Sequence, residues 1–161
     1  VAPHHLYFSD EDYAEKGVLI QVNPPVRTGE DIEALWRAIG EGVVDTIASA
    51  HNPHTLEEKH RPYGSSLSGI PSVELTPPLL LNAHHQGKIS LEQIVQLTRI
   101  NPKEIFRLNP NSDVVLVDLE LEQVVRNTQM KSKCGWSPYA GMVLKGWPRF
   151  TVMKGKIYEI V

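Results

Sequence analysis

The stretch VVDTIASAHNPHT, residues 43 to 55, decides the fold class expected for this 161-residue chain. Its first half, Val43 to Ala48, is apolar and β-branched, which predicts a buried strand. Its second half is a polar loop that carries two histidines and a proline. Reactive groups often follow strand C-termini in α/β barrels, where a carboxylate can bind a metal and take a proton from metal-bound water. Ala50 can do neither.

The residues before this stretch predict a strand and a helix. Val18 to Val22 is apolar and β-branched and predicts another strand, which Asn23-Pro24-Pro25 ends. Thr28 caps the following helix, whose apolar face repeats at helical spacing through Ile32, Leu35, Trp36 and Ile39. The order strand, helix, strand is typical of a parallel βαβ unit. Upstream, Pro3 to Phe8 is expected to be extended, and Ser9 to cap a short turn.

The residues that follow predict a long loop and further helices. Residues 55 to 72 read as a loop rich in Ser, Gly, Pro and charge. A helix is expected over Val73 to Ala83, and Ser90 with Gln93 forms a capping box for the next one. Asn101-Pro102 predicts another helix start, because proline is favoured at the first helical position.

After Leu108 the apolar pattern changes to strand periodicity. Val114 to Leu119 predicts a strand, and a hairpin across Lys154-Gly155 joins Arg149–Met153 to Lys156–Val161. Residues 126 to 148 have no regular pattern and contain Trp136 and Trp147, which are expected at the junction with the α/β part. The expected fold class is therefore α/β: a partial (β/α)8 barrel segment over residues 1–108 and an appended small β-structure over residues 109–161. Two parallel strands cannot close a barrel, which needs eight.

Composition excludes several classes of function. The net charge of −3 and the pI near 6.2 give no basic field for nucleic acid. The sequence contains no run of about 18 apolar residues, so it predicts no membrane-spanning helix. The single cysteine, Cys134, excludes an internal disulfide framework, is expected to be a packing residue, and favours a reducing, cytoplasmic location. Because the chain starts at Val1 without an initiator Met, we expect it to be the C-terminal part of a longer polypeptide.

A set of short sequence words identifies a resemblance that covers nearly the whole chain. They are Pro3-His4-His5-Leu6, Asn23-Pro24-Pro25-Val26-Arg27, Asp45 to Lys59, Ser68 to Glu74, Asn101 to Phe106, Trp136-Ser137-Pro138-Tyr139 and Gly141 to Gly146. In order and spacing they resemble the C-terminal portion of dihydroorotase, a cyclic amidohydrolase of pyrimidine biosynthesis. The resemblance implies a (β/α)8 barrel, plus a small β-structure built from both chain ends.

The resemblance also implies which functional groups are kept and which are missing. The family binds zinc through histidines, a bridging carboxylate and one late Asp; that Asp position falls at Ala50, and the earlier ligands would precede Val1. The substrate contacts of the family map to Asn23, His54, Ser68 and Gly69. Asn52 is a second departure from the family's Asp-His-Ala-Pro-His word. We therefore expect no catalytic residue and no metal bound by this chain alone.

These assignments are chemically reasonable for dihydroorotate, an anionic ring with amide edges. An Asn side chain offers a donor and an acceptor to an amide edge, and a His can donate to a carboxylate. Glycine lets the backbone approach a ligand. Hydrolysis needs in addition a metal that activates water and a carboxylate that moves the proton.

The other histidines are weaker candidates for ligands. His51 and His54 are too few for zinc, which takes three or four protein groups. His4-His5 and His84-His85 are adjacent pairs whose side chains point apart, so exposed or half-packed histidines are expected. Glu57 and Glu58 lie in the loop and are not expected to replace the missing carboxylate.

Three functional hypotheses remain open from the sequence. The first is a dihydroorotase-related segment, inactive by itself, whose family substrates are dihydroorotate and N-carbamoyl-L-aspartate. The second is a non-catalytic subunit that assembles as a homo-oligomer or with a complementing chain, for example with aspartate carbamoyltransferase. The third is allantoinase or hydantoinase chemistry, against which the Asn-Pro-Pro word and the placement of Asn23 and His54 argue.

Overall fold

The computed structural model of the chain describes residues 1–160 and combines short helices with one antiparallel sheet. The helices are α1 (His4–Tyr7), α2 (Tyr13–Lys16), α3 (Gly29–Gly40), α4 (Leu56–Lys59), α5 (Thr76–His85), α6 (Leu91–Val95) and α7 (Asn101–Ile105). Single 3-10 turns cover Asp10–Asp12, Gly17–Ile20 and Asn127–Gln129, and a π-helical turn covers Gln96–Ile100. The strands are β1 (Val114–Val124), β2 (Val143–Met153) and β3 (Lys156–Glu159).

The capping predictions are confirmed. Thr28 Oγ1 accepts the N–H of Asp31 at 3.3 Å, and the Asp31 carboxylate returns to the Thr28 N–H at 3.1 Å. The same reciprocal box holds Ser90 and Gln93 at the start of α6. These helix starts were predictable because each cap depends only on residues three positions apart.

Two predicted extended segments near the N-terminus are wrong. Pro3 to Phe8 contains α1, and the expected strand Val18–Val22 begins as the 3-10 turn Gly17–Ile20. A strand is stable only beside a neighbour that takes its backbone hydrogen bonds, and the described residues supply no ladder here. Local bonds replace it, such as the Gln21 N–H to the Val18 carbonyl at 3.1 Å.

The predicted strand Val43–Ala48 is also wrong, although the backbone there keeps scattered pairings. The Val1 ammonium donates to Thr46 O, and Ala48 N–H donates to Val1 O, both at 3.0 Å. Within residues 1–160, a single parallel pairing lies outside the named strands, an isolated bridge that joins His51 to Ile70. The described chain therefore shows no parallel βαβ ladder, and the fold is mixed α/β with a small antiparallel sheet. The partial barrel stays a prediction.

The helices after residue 55 start and end differently from the prediction. The loop over residues 55 to 72 contains the short helix α4, which Thr55 caps. Helix α5 begins at Thr76, with its prolines in the first turn where their missing N–H groups cost nothing. Helix α7 begins at the predicted Asn101 with Pro102 in its first turn, but it continues directly from α6 and the π turn and has no side-chain cap of its own. Pro102 offers no N–H to the preceding turn, which explains the wider turn before it.

The C-terminal sheet confirms the predicted hairpin. Strand β2 pairs antiparallel with both β1 and β3, and Met153 opposes Lys156 across Lys154-Gly155. The predicted end of β3 at Val161 lies outside the described residues. The prediction of irregular structure for residues 126 to 148 is wrong from Val143 onward. Gly146 and Pro148 hid this strand: Gly146 has φ +94°, and a Cβ there would lie 2.6 Å from Leu81 Cβ.

Two buried clusters form the core. The first combines side chains from both parts of the chain: Phe8, Ile20, Val22, Val26, Ile70, Leu75 and Leu79 with Val125, Trp136, Tyr139 and Leu144. The second lies around α3 and contains Trp36 and Ile39 from the predicted apolar face of that helix, together with Leu6, Ile47, Leu80, Ala83, Ile89 and Leu97. The boundary between residues 108 and 109 stays a prediction.

Over the described residues, every helix is too short or too polar to cross a membrane.

Candidate ligand-binding cleft

An open cleft of about 750 Å³ lies where the loop after Val22 meets the loops around Ala50 and Ser68. Asn23, Ser68 and Gly69 all line it, so three of the four predicted binding residues lie around one space. Ala50 lines the same cleft. The cleft therefore brings predicted recognition groups together at the position where the family resemblance expects a carboxylate.

His54 lies beside this cleft. It lines a neighbouring space of about 410 Å³ that Lys133 and Cys134 also border. Its ring Nε2 is 3.3 Å from Ser68 O, and its Nδ1 is 3.8 Å from a Glu58 carboxylate oxygen. The structure thus links His54 to the wall of the main cleft through Ser68. Cys134 is half-buried and packs against the first core cluster, as a packing residue does.

Gly69 is required by the approach of Asn52. A Cβ at Gly69 would lie 2.5 Å from Asn52 Nδ2 and 2.6 Å from Asn52 O, and Gly69 has φ +139°. The Asn52 amide donates to Ser68 O at 3.0 Å. Asn52, a departure from the family word, therefore holds the backbone of the Ser68 wall.

Two histidines of the cleft were not predicted to belong to it. His4 and His5 are the first two residues of α1 and line the same space as Ala50. The expectation that His4 is exposed or half-packed is wrong, because only 3% of its surface is accessible. Burial, followed by the nearby His5 and the N-terminal ammonium, lowers the pKa of His4 to about 4. No pattern in the sequence indicated this, since burial of His4 depends on distant residues.

The side chains of the described residues do not complete a metal centre. No group of three or more His, Cys, Asp or Glu side chains within residues 1–160 comes together with the geometry to hold an ion. His51 Nδ1 accepts the N–H groups of Ser72 and Val73 at 3.1 and 3.3 Å, which occupies that nitrogen. Because a zinc site takes three or four protein ligands, the residues present do not fit zinc.

Ala50 adopts a backbone conformation that suits other residues better. It is exposed and has φ +46°, the left-handed region in which Cβ crowds the backbone. Asn, Asp and Gly occupy this region more readily than Ala. The loop therefore keeps a shape that a carboxylate-bearing Asp would accept, without the carboxylate.

This strain predicts a gain in stability for Ala50→Gly. Relief of the left-handed Cβ, less the added freedom of the unfolded chain, should raise the free energy of unfolding by about 0.5–1 kcal/mol. Urea denaturation of both proteins measures the difference. Ala48→Gly is the matched control at an exposed site without positive φ, and should lose stability. A loss of similar size at both positions would contradict the strain argument.

Comparison with curated proteins relates this chain to dihydroorotases. It is 38% identical over 164 residues to the dihydroorotase of Pyrococcus furiosus and 37% identical over 166 residues to that of Brevibacillus brevis. These alignments cover 98% of this chain but 38% and 39% of those proteins. No protein-family model matches the chain. The chain spans less than two fifths of the length of these relatives.

Comparison with solved structures gives the same superfamily. The L-hydantoinase of Arthrobacter aurescens matches with a TM-score of 0.93 and 26% identity over 99% of this chain and 40% of that one. The inactive dihydroorotase-like domain of a Chaetomium thermophilum CAD-like multifunctional protein matches with a TM-score of 0.72 and 25% identity, covering 98% of this chain and 42% of that one. The chain is homologous to part of the dihydroorotases, within the cyclic amidohydrolase superfamily.

Proposed function

We propose that this chain forms the substrate-binding edge of a dihydroorotase-type (β/α)8 barrel and has no hydrolase activity by itself. One observation supports this above the others: Ala50 lies in the same cleft as Asn23, Ser68 and Gly69. The groups suited to holding a ring with amide edges are present, and the acid at their centre is replaced by a methyl group. The domains proposed are the barrel part over residues 1–108 and the β-rich part over residues 109–161.

The proposed ligands are dihydroorotate and N-carbamoyl-L-aspartate, which ring closure interconverts. The Asn23 amide would pair with an amide edge of the ring, and the backbone at Ser68 and Gly69 would border it closely. His54 would donate to the ligand carboxylate after exchanging its contact with Ser68 O. Ring opening needs a group that takes a proton from water, and Ala50 offers none.

A second function has its own supporting observation. The chain resembles a structure named as an inactive dihydroorotase-like domain, and its strand β1 exposes the apolar residues Val114 to Val117. This favours a non-catalytic subunit that assembles with another copy or a complementing chain, aspartate carbamoyltransferase being the example. In either case we propose a cytoplasmic protein, in keeping with its single cysteine.

A chimeric enzyme tests the first function. The chain is fused behind the part of Pyrococcus furiosus dihydroorotase that its alignment leaves uncovered, and zinc-dependent ring opening of dihydroorotate is measured. We expect background turnover with Ala50 and an increase of about 10²-fold or more with Ala50→Asp, because a positioned acid–base group contributes that much. Ala50→Asn is the matched control, with similar size and no charge.

The outcomes separate the two functions. Equal turnover for Ala50→Asp and Ala50→Asn in a folded chimera would contradict the proposed role of the missing acid. Light scattering after size-exclusion chromatography tests the assembly function on the unfused chain. A stable complex or oligomer would support that function, and a compact monomer at all concentrations would argue against an obligate partner.

A further inference from the structure

Lys59 is a fully buried cation near the wall of the cleft. Its side chain is 0% exposed, and the salt bridges found among the described residues do not include it. A buried charge without a counter-charge is costly unless hydrogen bonds satisfy it. The Lys59 ammonium therefore needs hydrogen-bond acceptors from its surroundings.

Three backbone carbonyls meet this need. Lys59 Nζ donates to Leu67 O at 2.9 Å, Gly69 O at 3.0 Å and Gln21 O at 3.2 Å. An ammonium group has three protons, so each of its donors has one acceptor. Burial lowers the pKa of Lys59 to about 8, which leaves it mainly charged at neutral pH.

The three carbonyls belong to the two segments that carry the proposed ligand contacts. Leu67 and Gly69 flank Ser68, and Gln21 precedes Asn23 by two residues. Further bonds join the same segments: Gly69 N–H donates to Gln21 O at 2.9 Å, and Gln21 Nε2 donates to Ser66 O at 3.0 Å. Ser66 Oγ donates to Lys59 O at 2.8 Å. Removing the ammonium would leave Leu67 O and Gly69 O without their donor. It would also remove one of the hydrogen bonds that join the two walls, the bond to Gln21 O.

We propose that Lys59 is a positioning residue that sets the spacing between the Asn23 wall and the Ser68-Gly69 wall of the cleft. It acts through backbone carbonyls and does not line the cleft itself. Its effect on ligand affinity rests on the function proposed above, whereas its effect on the spacing of the walls does not. The tests therefore measure the rigidity of the walls and the affinity for the ligand separately.

Hydrogen exchange of the backbone amides of Gly69 and Asn52 measures how firmly the two walls of the cleft are held. These N–H groups donate to Gln21 O and Ile70 O at 2.9 and 3.0 Å. In Lys59→Met, which keeps the apolar stem, we expect their exchange to accelerate by about tenfold or more. The Val125 amide, bonded to Met142 O in the sheet region, should change much less. The exposed Lys103→Met is the matched control and should change neither.

Lys59→Arg separates charge from shape. A planar guanidinium fork cannot direct three donors as an ammonium does. We therefore expect Arg to accelerate exchange at Gly69 and Asn52 nearly as much as Met. Full protection with Arg, or equal acceleration at Gly69 and Val125 with Met, would overturn the positioning role in favour of charge alone or general stability.

If Lys59→Met does not fold, ¹⁵N-lysine NMR of the unaltered chain decides. We expect one ammonium resonance with protons protected from water exchange, absent after Lys59→Arg, which keeps the charge, and unchanged after Lys103→Met. Free exchange at all nine lysines of the chain, Lys59 included, would overturn the proposal.

Titration with dihydroorotate then measures the affinity for the proposed ligand. We expect Lys59→Met to weaken binding by about tenfold or more, and Lys103→Met to leave it unchanged. If the unaltered chain does not bind dihydroorotate, the proposed function fails while the exchange result still decides the role of Lys59. If it binds and Lys59→Met binds equally well despite loosened walls, the link from spacing to affinity is wrong.

Discussion

Replacing Trp136 with Ala is expected to lower the free energy of unfolding by about 3–5 kcal/mol, as large-to-small changes of buried aromatics do. Only 1% of the Trp136 surface is accessible, and the residue lies in the first core cluster with Phe8 and Leu79. Its indole Nε1 donates to His54 O at 2.7 Å. The substitution would therefore open a cavity and leave that carbonyl without its donor. Urea denaturation followed by circular dichroism measures the loss.

Trp136→Phe separates the two contributions. It keeps most of the ring volume and removes the bond to His54 O, so a smaller loss of about 1–3 kcal/mol is expected. Trp147→Phe is a matched control, since Trp147 is only partly buried and donates to a nearby residue, Leu144 O, at 2.8 Å. Equal losses for Trp136→Ala and Trp136→Phe would show that the hydrogen bond, and not the packing, dominates.

The same variant tests the proposed division at residues 108 and 109. Trp136 follows that boundary, yet Phe8 and Leu79 of the same core cluster precede it. If the two parts share one cooperative core, Trp136→Ala should reduce amide protection in α5 and in β2 together. Loss of protection confined to β1, β2 and β3 would instead support two independent units.

The sequence predicted those features that neighbouring residues determine by themselves. The capping boxes at Thr28 and Ser90 need only a partner three residues away, and the hairpin at Lys154-Gly155 needs only a short turn. The predicted strands over Val18–Val22 and Val43–Ala48 failed for the opposite reason. Strand propensity reports a side chain that fits a sheet, and a sheet requires a second strand, which the described residues do not place there.

The sequence predicted the residues that line the candidate site but not the buried lysine that holds its backbone in place. Asn23, Ser68 and Gly69 were recognised through the family resemblance, and the structure places all three around one cleft. Lys59 falls within the predicted charged loop over residues 55 to 72, where a lysine is expected to be exposed. Its burial depends on carbonyls up to 38 positions away in the chain, which no local pattern encodes.

Acid is expected to destabilise the chain through His4. Its pKa of about 4 in the folded state lies below the ordinary value of 6.5, because burial disfavours the charged ring. Between these values the unfolded chain binds more protons than the folded one, so stability rises with pH in this window. The contribution is fully present above about pH 6.5 and is lost as the pH falls toward 4, a change of about 3 kcal/mol.

The measurement is a difference between two proteins, because carboxylates also titrate in this range. His4→Phe keeps a ring of similar shape without a titrating nitrogen, so its stability should fall less between pH 6.5 and pH 4 than that of the unaltered chain. His60→Gln, at an exposed histidine, should retain the full dependence of the unaltered chain. The buried His4 Nδ1 has no hydrogen-bond partner among the described residues, so protonation there gains no acceptor to offset its loss of water. Parallel pH curves for the unaltered chain and His4→Phe would contradict this prediction, because they would mean that His4 binds its proton as readily in the folded chain as in the unfolded one.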